Sequence, residues 1–390
     1  MRNIMDTYIY KKSLILKSSI GNKSGGFSII ELLIAVTIGL IILSGVINVV
    51  LSAKNNKLEQ EEISFIQDNA RFVVETLSAE IRMAGYMGCS SPQSSYVANS
   101  IDGSFSGFVS TEGIEGFDGA TSVAAFPLPL RTQATIGPDA FIVRRGDNSN
   151  ELAVKSHVHT SATIDLYKQH NFKPGTPLMI SDASCRYVGL FQVSGPAAAS
   201  LPAGKIVHNT GSGTNNCTKV IKASTGSFVC DPSCTATKCG GADATKTPGY
   251  TSGSKIMSFI SRAYFVGPSS VYAGMPALKR QSLIMSGTLT TQSEEIAHGI
   301  EDMQLLYGVD TNADGDVNQY RTAAQMDVDA NGVINNVDWQ KVNSVRMALI
   351  FRSQAPVFSS NQTRVLNGIT YNDRYLRQAV NTTVVIRNRS

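Results

Sequence analysis

The feature that most constrains this chain is an uncharged apolar run from Leu32 to Ala53, entered through a single carboxylate at Glu31. Its 22 residues make a helix of roughly 33 Å at about 1.5 Å per residue, enough to cross the hydrocarbon core of a bilayer. Arg2, Lys11, Lys12, Lys17 and Lys23 precede it, against Asp6 alone. The positive-inside rule therefore leaves residues 1–26 in the cytoplasm and sends the bulk of the chain across. The small residues Gly25 and Gly26 stand before the run, whereas a secretory signal is cut behind its apolar region. A cut here would leave the apolar helix on the mature chain.

With 42% hydrophobic and 16% charged residues in 390, the rest has the composition of a globular chain with a sizeable core. The net charge of +4 resides in the leader, because the remaining 29 basic and 29 acidic residues cancel. Global charge thus gives no reason to expect nucleic-acid binding. All six cysteines (Cys89, Cys185, Cys217, Cys230, Cys234 and Cys239) follow the apolar run. In an oxidising compartment an even count predicts up to three disulfides, with the connectivity open. The rival is a zinc site at Cys230, Cys234 and Cys239, which lacks a CxxC knuckle and has His208 as its nearest histidine.

No proline interrupts the chain between Phe27 and Ser91. Ile66, Ala70, Val73, Leu77, Ile81 and Ala84 recur at helical spacing, and Glu59, Glu61, Glu62, Asp68, Arg71, Glu75, Glu80 and Arg82 fill the other faces. This predicts one helix from Phe27 to about Met83. Later segments alternate: "AFIVRR", "TTVVIRNR", and "VRMALIFR" with Val345, Met347, Leu349 and Phe351 on one face and Arg346 and Arg352 on the other. The expected class is α+β, a long N-terminal helix packed on a mostly antiparallel sheet with an extra lobe. The expected divisions are 1–26 leader, 27–53 membrane helix, 54–88 amphipathic extension, 89–255 β-rich lobe with a Gly/Ser/Thr/Cys-rich insertion at 211–254, and 256–390 C-terminal β region.

The stretch "KSGGFSIIELLIAVTIGL" resembles the class III signal of type IV pilins and pseudopilins. The resemblance implies cleavage between Gly26 and Phe27 by a prepilin peptidase and N-methylation of Phe27. It makes Glu31 the fifth mature residue, partnered by the cationic amine of a neighbouring subunit; the alternative is a local pair with its own Phe27 amine. The leader is long for this class, so a start at Met5 or later is an alternative. The segments "EIRMAGYMGC", "PDAFIVRRG", "MISDASCRYVGLFQVSG", "IAHGIEDMQLLYGVDTNADGD", "NSVRMALIFRS" and "TTVVIRNRS", in that order, resemble the PilW family of type IV pilus assembly proteins, which are minor pilins. Membership implies a pilin-like fold that primes pilus assembly and helps present a tip adhesin. The implied partners are other minor pilins, the major pilin, prepilin peptidase, the inner-membrane assembly platform and, before assembly, membrane lipid. The implied location is the inner membrane with a periplasmic C-terminal domain, then the filament at or near its tip. The runner-up is a minor pseudopilin of a type II secretion tip. A third reading has the headpiece bind DNA or a surface through the arginines of 341–390. The sequence carries no nucleophile elbow, P-loop or HExxH, so an enzyme is not expected.

Two acidic loops raise the question of calcium, which takes six to eight oxygen ligands. "DVDANGVINNVD" places Asp327, Asp329 and Asn331 at loop positions 1, 3 and 5, Gly332 at the turn, Asn335 at 9 and Asp338 at 12, and resembles a dockerin-type loop. "DTNADGD" places Asp310, Asn312, Asp314 and Asp316 similarly, but Arg321 stands where the closing carboxylate should be. Residues 294–338 hold ten acidic residues against Arg321, while 341–390 hold eight basic residues against Asp373. Either a cation or that basic stretch would neutralise the excess. His157 and His159 share a strand face but lack a third ligand, and Trp339 reads as core.

Overall fold

The computed structural model describes residues 26, 28–89, 96–102, 107–110, 112–211, 213–223, 226–230, 233–234, 239, 249–286, 288–312 and 314–388. The leader, Phe27 and much of the 211–254 insertion lie outside the described residues.

Helix α1 spans Ile29–Arg82. The chain divides into two compact units, the first ending at Lys57 and the second running from Leu58 to Ser390. In the first, every side chain from Ser28 to Lys57 is exposed, as an apolar segment made for lipid or for other helices must be. In the second, Ile66, Ala70, Val73, Leu77, Ile81 and Ala84 are all buried, which turns the helical stripe of the sequence into one face of a core. Each of the larger ones contributes about 1.5–3 kcal/mol by leaving water. Two residues expected on solvated faces are buried instead: Glu62 and Glu80 are 7% and 8% exposed. Glu62 accepts hydrogen bonds from the backbone N–H groups of Gln354 (2.6 Å) and Ala355 (3.1 Å), and Glu80 pairs with Arg262 and Arg145. The helix stops where Gly85 adopts a φ of 72°, a left-handed conformation that glycine takes without strain.

The strands in chain order are β1 (Tyr96–Asn99), β2 (Ile114–Phe117), β3 (Ala140–Gly146), β4 (Leu152–Val158), β5 (Thr163–His170), β6 (Pro177–Ser181), β7 (Tyr187–Gln192), β8 (Ala203–Val207), β9 (Phe228–Val229), β10 (Lys255–Pro268), β11 (Pro276–Ser286), β12 (Thr288–His298), β13 (Ile300–Val309), β14 (Gln319–Arg321), β15 (Val342–Pro356), β16 (Gln362–Leu366), β17 (Ile369–Asp373) and β18 (Tyr375–Val385). An antiparallel sheet in the order β14-β13-β15-β18 carries the helix. Val345, Met347, Leu349 and Phe351 point into the shared core beside Met303, Leu305 and Tyr307. The hairpin β16–β17 stands apart as a two-stranded sheet. The remaining strands form a larger sheet, antiparallel except where β1 pairs with β7 and β9.

Strand β10 joins the parts. Lys255–Ser258 pair with β6, and Lys255 and Ile256 also with β4, in the extra lobe. Phe259–Tyr264 pair with β3, and Arg262–Pro268 with β11. Residues of β3, β10 and β11 (Phe141, Val143, Tyr264, Val266 and Leu278) complete the core over the helix. A separate core of Ile164, Leu178, Ile180, Phe191, Ile206 and Tyr250 fills the lobe.

Candidate assembly helix and metal centre

The helix opens with reciprocal capping. Ser28 Oγ accepts from Ile30 N–H (3.3 Å), and Glu31 Oε2 accepts from Ser28 N–H (3.0 Å). Glu31 lies three residues past the cap, the spacing at which a carboxylate reaches back to the cap's own amide. The sequence reading missed this local role, although the S-x-x-E signature is visible in "SIIE". A carboxylate still has lone pairs for a second, cationic partner. Gly26 is described; its cleavage partner Phe27 is not.

The second acidic loop closes on itself. Asp327, Asp329 and Asp338 each bring a carboxylate oxygen within 4.8 Å of the others. Asp338 is fully buried at the start of a short helix, α2 (Asn336–Gln340). Its two oxygens accept from Val328 N–H (2.8 Å) and Asn335 N–H (3.0 Å). Asp327 accepts from Asn331 N–H (3.0 Å) and Gly332 N–H (2.8 Å), with Gly332 at φ 83°. Asp329 is exposed and, among the described residues, accepts from Asn331, at N–H (3.3 Å) and Nδ2 (2.9 Å). Asn335 Oδ1 caps α2 through Val337 N–H (2.8 Å). Each of these oxygens keeps a free lone pair, so the donor set fits a hard cation. In the first loop, Asp310 accepts from Asn312 N–H and Gly315 N–H, and Asp314 from Asp316 N–H. Among the described residues its carboxylates do not converge as those of the second loop do.

The acidic and basic stretches pair in part, through Glu301 of the first with Arg352 and Arg377 of the second. Both acidic loops sit where β13 ends at Val309 and β15 begins at Val342. Arg352 and Arg377 sit toward the opposite end, matched by Glu301 and Asp373. Arg346 lies over the Tyr320 ring at 4.0 Å. Trp339 is core, edge-on to Tyr307 at 4.9 Å.

The cysteines form three disulfides, Cys89–Cys185, Cys217–Cys234 and Cys230–Cys239, which overturns the zinc alternative. His157 pairs not with His159 but with His208, 51 residues on, at 3.0 Å between Nε2 atoms. Sequence spacing cannot reveal such a contact.

A long helix, apolar and exposed over one half and buried in a β headpiece over the other, with a capped glutamate at its start, defines a pilin-like protein related to type IV pili. The prokaryotic N-terminal methylation motif matches residues 21–47. The family model of Type IV Pilus-assembly protein W matches residues 263–388, from within β10 through β18. The resembling segments at 80–89, 138–146 and 179–195 lie outside that match. No curated protein and no solved structure matches the chain.

Proposed function

We propose that this chain is a minor pilin of a type IV pilus. Prepilin peptidase cleaves it between Gly26 and Phe27 and methylates Phe27. The apolar helix then holds it in the inner membrane with the headpiece in the periplasm, until it joins other minor pilins and the major pilin on the assembly platform. There it primes assembly and helps present a tip adhesin; its role is structural rather than catalytic. The observation that carries this reading is the division of α1, with no buried side chain up to Lys57 and a continuous buried stripe beyond. Such a helix is built to pack against other helices or lipid at one half and to carry a domain at the other. Glu31 supplies the contact to a neighbouring subunit's amine.

The test is Glu31→Ala in cells. Processing, read as the size of the chain, should persist, while incorporation into sheared filaments and surface pilus number should fall. Normal incorporation would overturn the assembly role. If instead the chain co-purifies with a secretion pseudopilus, the pseudopilin reading replaces it.

Within this function calcium closes the loop Asp327–Asp338. Asp327, Asp329, Asn331 and Asp338 would hold it, with Asn335 through water, and the ion would offset converging negative charge.

A further inference from the structure

We propose that the free edge of β18 is a strand-docking site, which takes an extended, uncharged segment of a partner protein as a further strand of the sheet. β18 ends the sheet β14-β13-β15-β18 and pairs with β15 alone. The register is unbroken from Ser344 opposite Val385 to Phe351 opposite Gln378, and Ile386 N–H donates to the carbonyl of Asn343 (2.9 Å). In an antiparallel ladder successive residues turn their amides to opposite sides. Gln378, Val380, Thr382 and Val384 therefore bond to β15, while Ala379, Asn381, Thr383 and Val385 turn their N–H and C=O groups outward. Among the described residues these outward N–H groups meet no acceptor. The hairpin β16–β17 meets β18 at Arg377, whose guanidinium lies over the Tyr371 ring at 4.1 Å. Beyond Val385 the chain turns to α1, where Arg387 N–H donates to the carbonyl of Arg82 (3.1 Å).

Edge strands invite pairing with other chains, and folded proteins ordinarily blunt them with charge, proline, bulges or shortness. The other edges here are blunted. β2, β8, β9, β14 and both strands of the hairpin have five residues or fewer. β12 matches β18 at 11 residues, but it carries Glu294 and Glu295 and a register break opposite Leu278 and Lys279. Between Gln378 and Val385, β18 has no charged residue, no proline and no bulge. Val380, Thr382, Thr383, Val384 and Val385 are β-branched, which suits a pleated surface. Asn381, Thr383 and Val385 are exposed, Val385 at 64%.

The same features define the occupant. Outward amides and carbonyls at strand spacing match the backbone of one extended segment, as in strand addition to a sheet edge. An incoming strand sets alternate side chains beside Val380 and Val384, which pack on the helix-bearing core, so apolar residues fit there. A charge in that row would be desolvated without a partner, since none stands between Arg377 and Arg387. The site does not depend on which filament the chain joins.

The probe is a fluorescent peptide, Lys-Thr-Val-Thr-Val-Thr-Val-Thr-Lys, titrated onto the full chain in detergent. Binding by anisotropy is expected, with slowed hydrogen exchange at Ala379, Asn381, Thr383 and Val385 and not along β12. The same peptide N-methylated on every residue keeps its side chains but loses its donors, and should not bind. Aspartate for its central valine should weaken binding roughly tenfold or more. Thr383→Pro removes one outward N–H, spares the ladder to β15, and should cost roughly tenfold. Unchanged exchange elsewhere in the headpiece checks that this variant folds. Equal binding of the methylated peptide, or no binding of the parent peptide at millimolar concentration, overturns the proposal. So does protection of the four amides without peptide, which would mean that the chain itself or a second copy already covers the edge.

Discussion

The imidazoles of His157 and His208 meet nitrogen to nitrogen, at 3.0 Å between their Nε2 atoms. Tyr250 N–H donates to His157 Nδ1 (3.1 Å), so His157 carries its proton on Nε2 and donates it to His208. Burial, first of all, holds His157 down from 6.5 to about 4 and His208 to about 3, with Lys222, His159 and Lys219 adding positive charge nearby. Folded values below the unfolded one mean that the stability from this pair is complete above pH 6.5 and drains away as pH falls through the folded values. The pH dependence of urea unfolding is expected to flatten over that window in His208→Gln, which keeps an acceptor for His157 but does not titrate. An unchanged slope would place the acid sensitivity elsewhere.

Asp139 works with the opposite sign. Its oxygens accept from Gly119 N–H (3.0 Å) and Leu305 N–H (2.8 Å), yet burial lifts it from 3.8 to about 6, with Asp118 and Asp302 adding like charge. A raised folded value gives a contribution that is full below the unfolded value and lost as pH rises through 6. Asp139→Asn turns an amide N–H toward one of the two donors and should cost about 1–3 kcal/mol. That cost should grow as the pH is lowered from 7 to 4.5. A gap that shrinks over this range would contradict the assignment.

Glu62 binds α1 to the end of β15 through two charge-assisted hydrogen bonds. Glu62→Ala leaves both amides without their acceptor, and a loss of roughly 2–4 kcal/mol in denaturant unfolding is expected. Glu61→Ala, one residue earlier on an exposed position, should change stability little. Equal effects of the two would return Glu62 to the solvated face.

Calcium is best tested at Asp329. Asp327 and Asp338 organise the loop backbone, so their removal weakens the fold with or without metal. Asp329 is exposed, and its hydrogen bonds among the described residues come from Asn331. Calcium at about 100 times its dissociation constant would add about 2.7 kcal/mol. In Asp329→Ala that gain should shrink while the melting temperature in chelator stays that of the parent. An absent calcium shift in the parent would remove the metal from the account.

Reading the chain alone located what is local. Apolar spacing defined the buried stripe from Ile66 to Ala84, and alternation defined the inward face of β15. It misassigned Glu62 and Glu80 because periodicity sorts residues by polarity, while the groups that justify burying these carboxylates lie far along the chain, at Gln354 and Arg262. The histidine pair and the cysteine pairing depend on long-range closure in the same way. The convergence of Asp327, Asp329 and Asp338 was legible because the three carboxylates sit within one dozen residues. The loop's internal division of labour, with Asp338 buried and Asp329 exposed, was not, since burial is set by α2 packing on the core.

Strand β10 gives the extra lobe and the helix-bearing body one uninterrupted backbone. The end of the helix is tied to the same lobe a second time, through Cys89 and its disulfide to Cys185, so lobe and body are joined at two places and not by a single hinge.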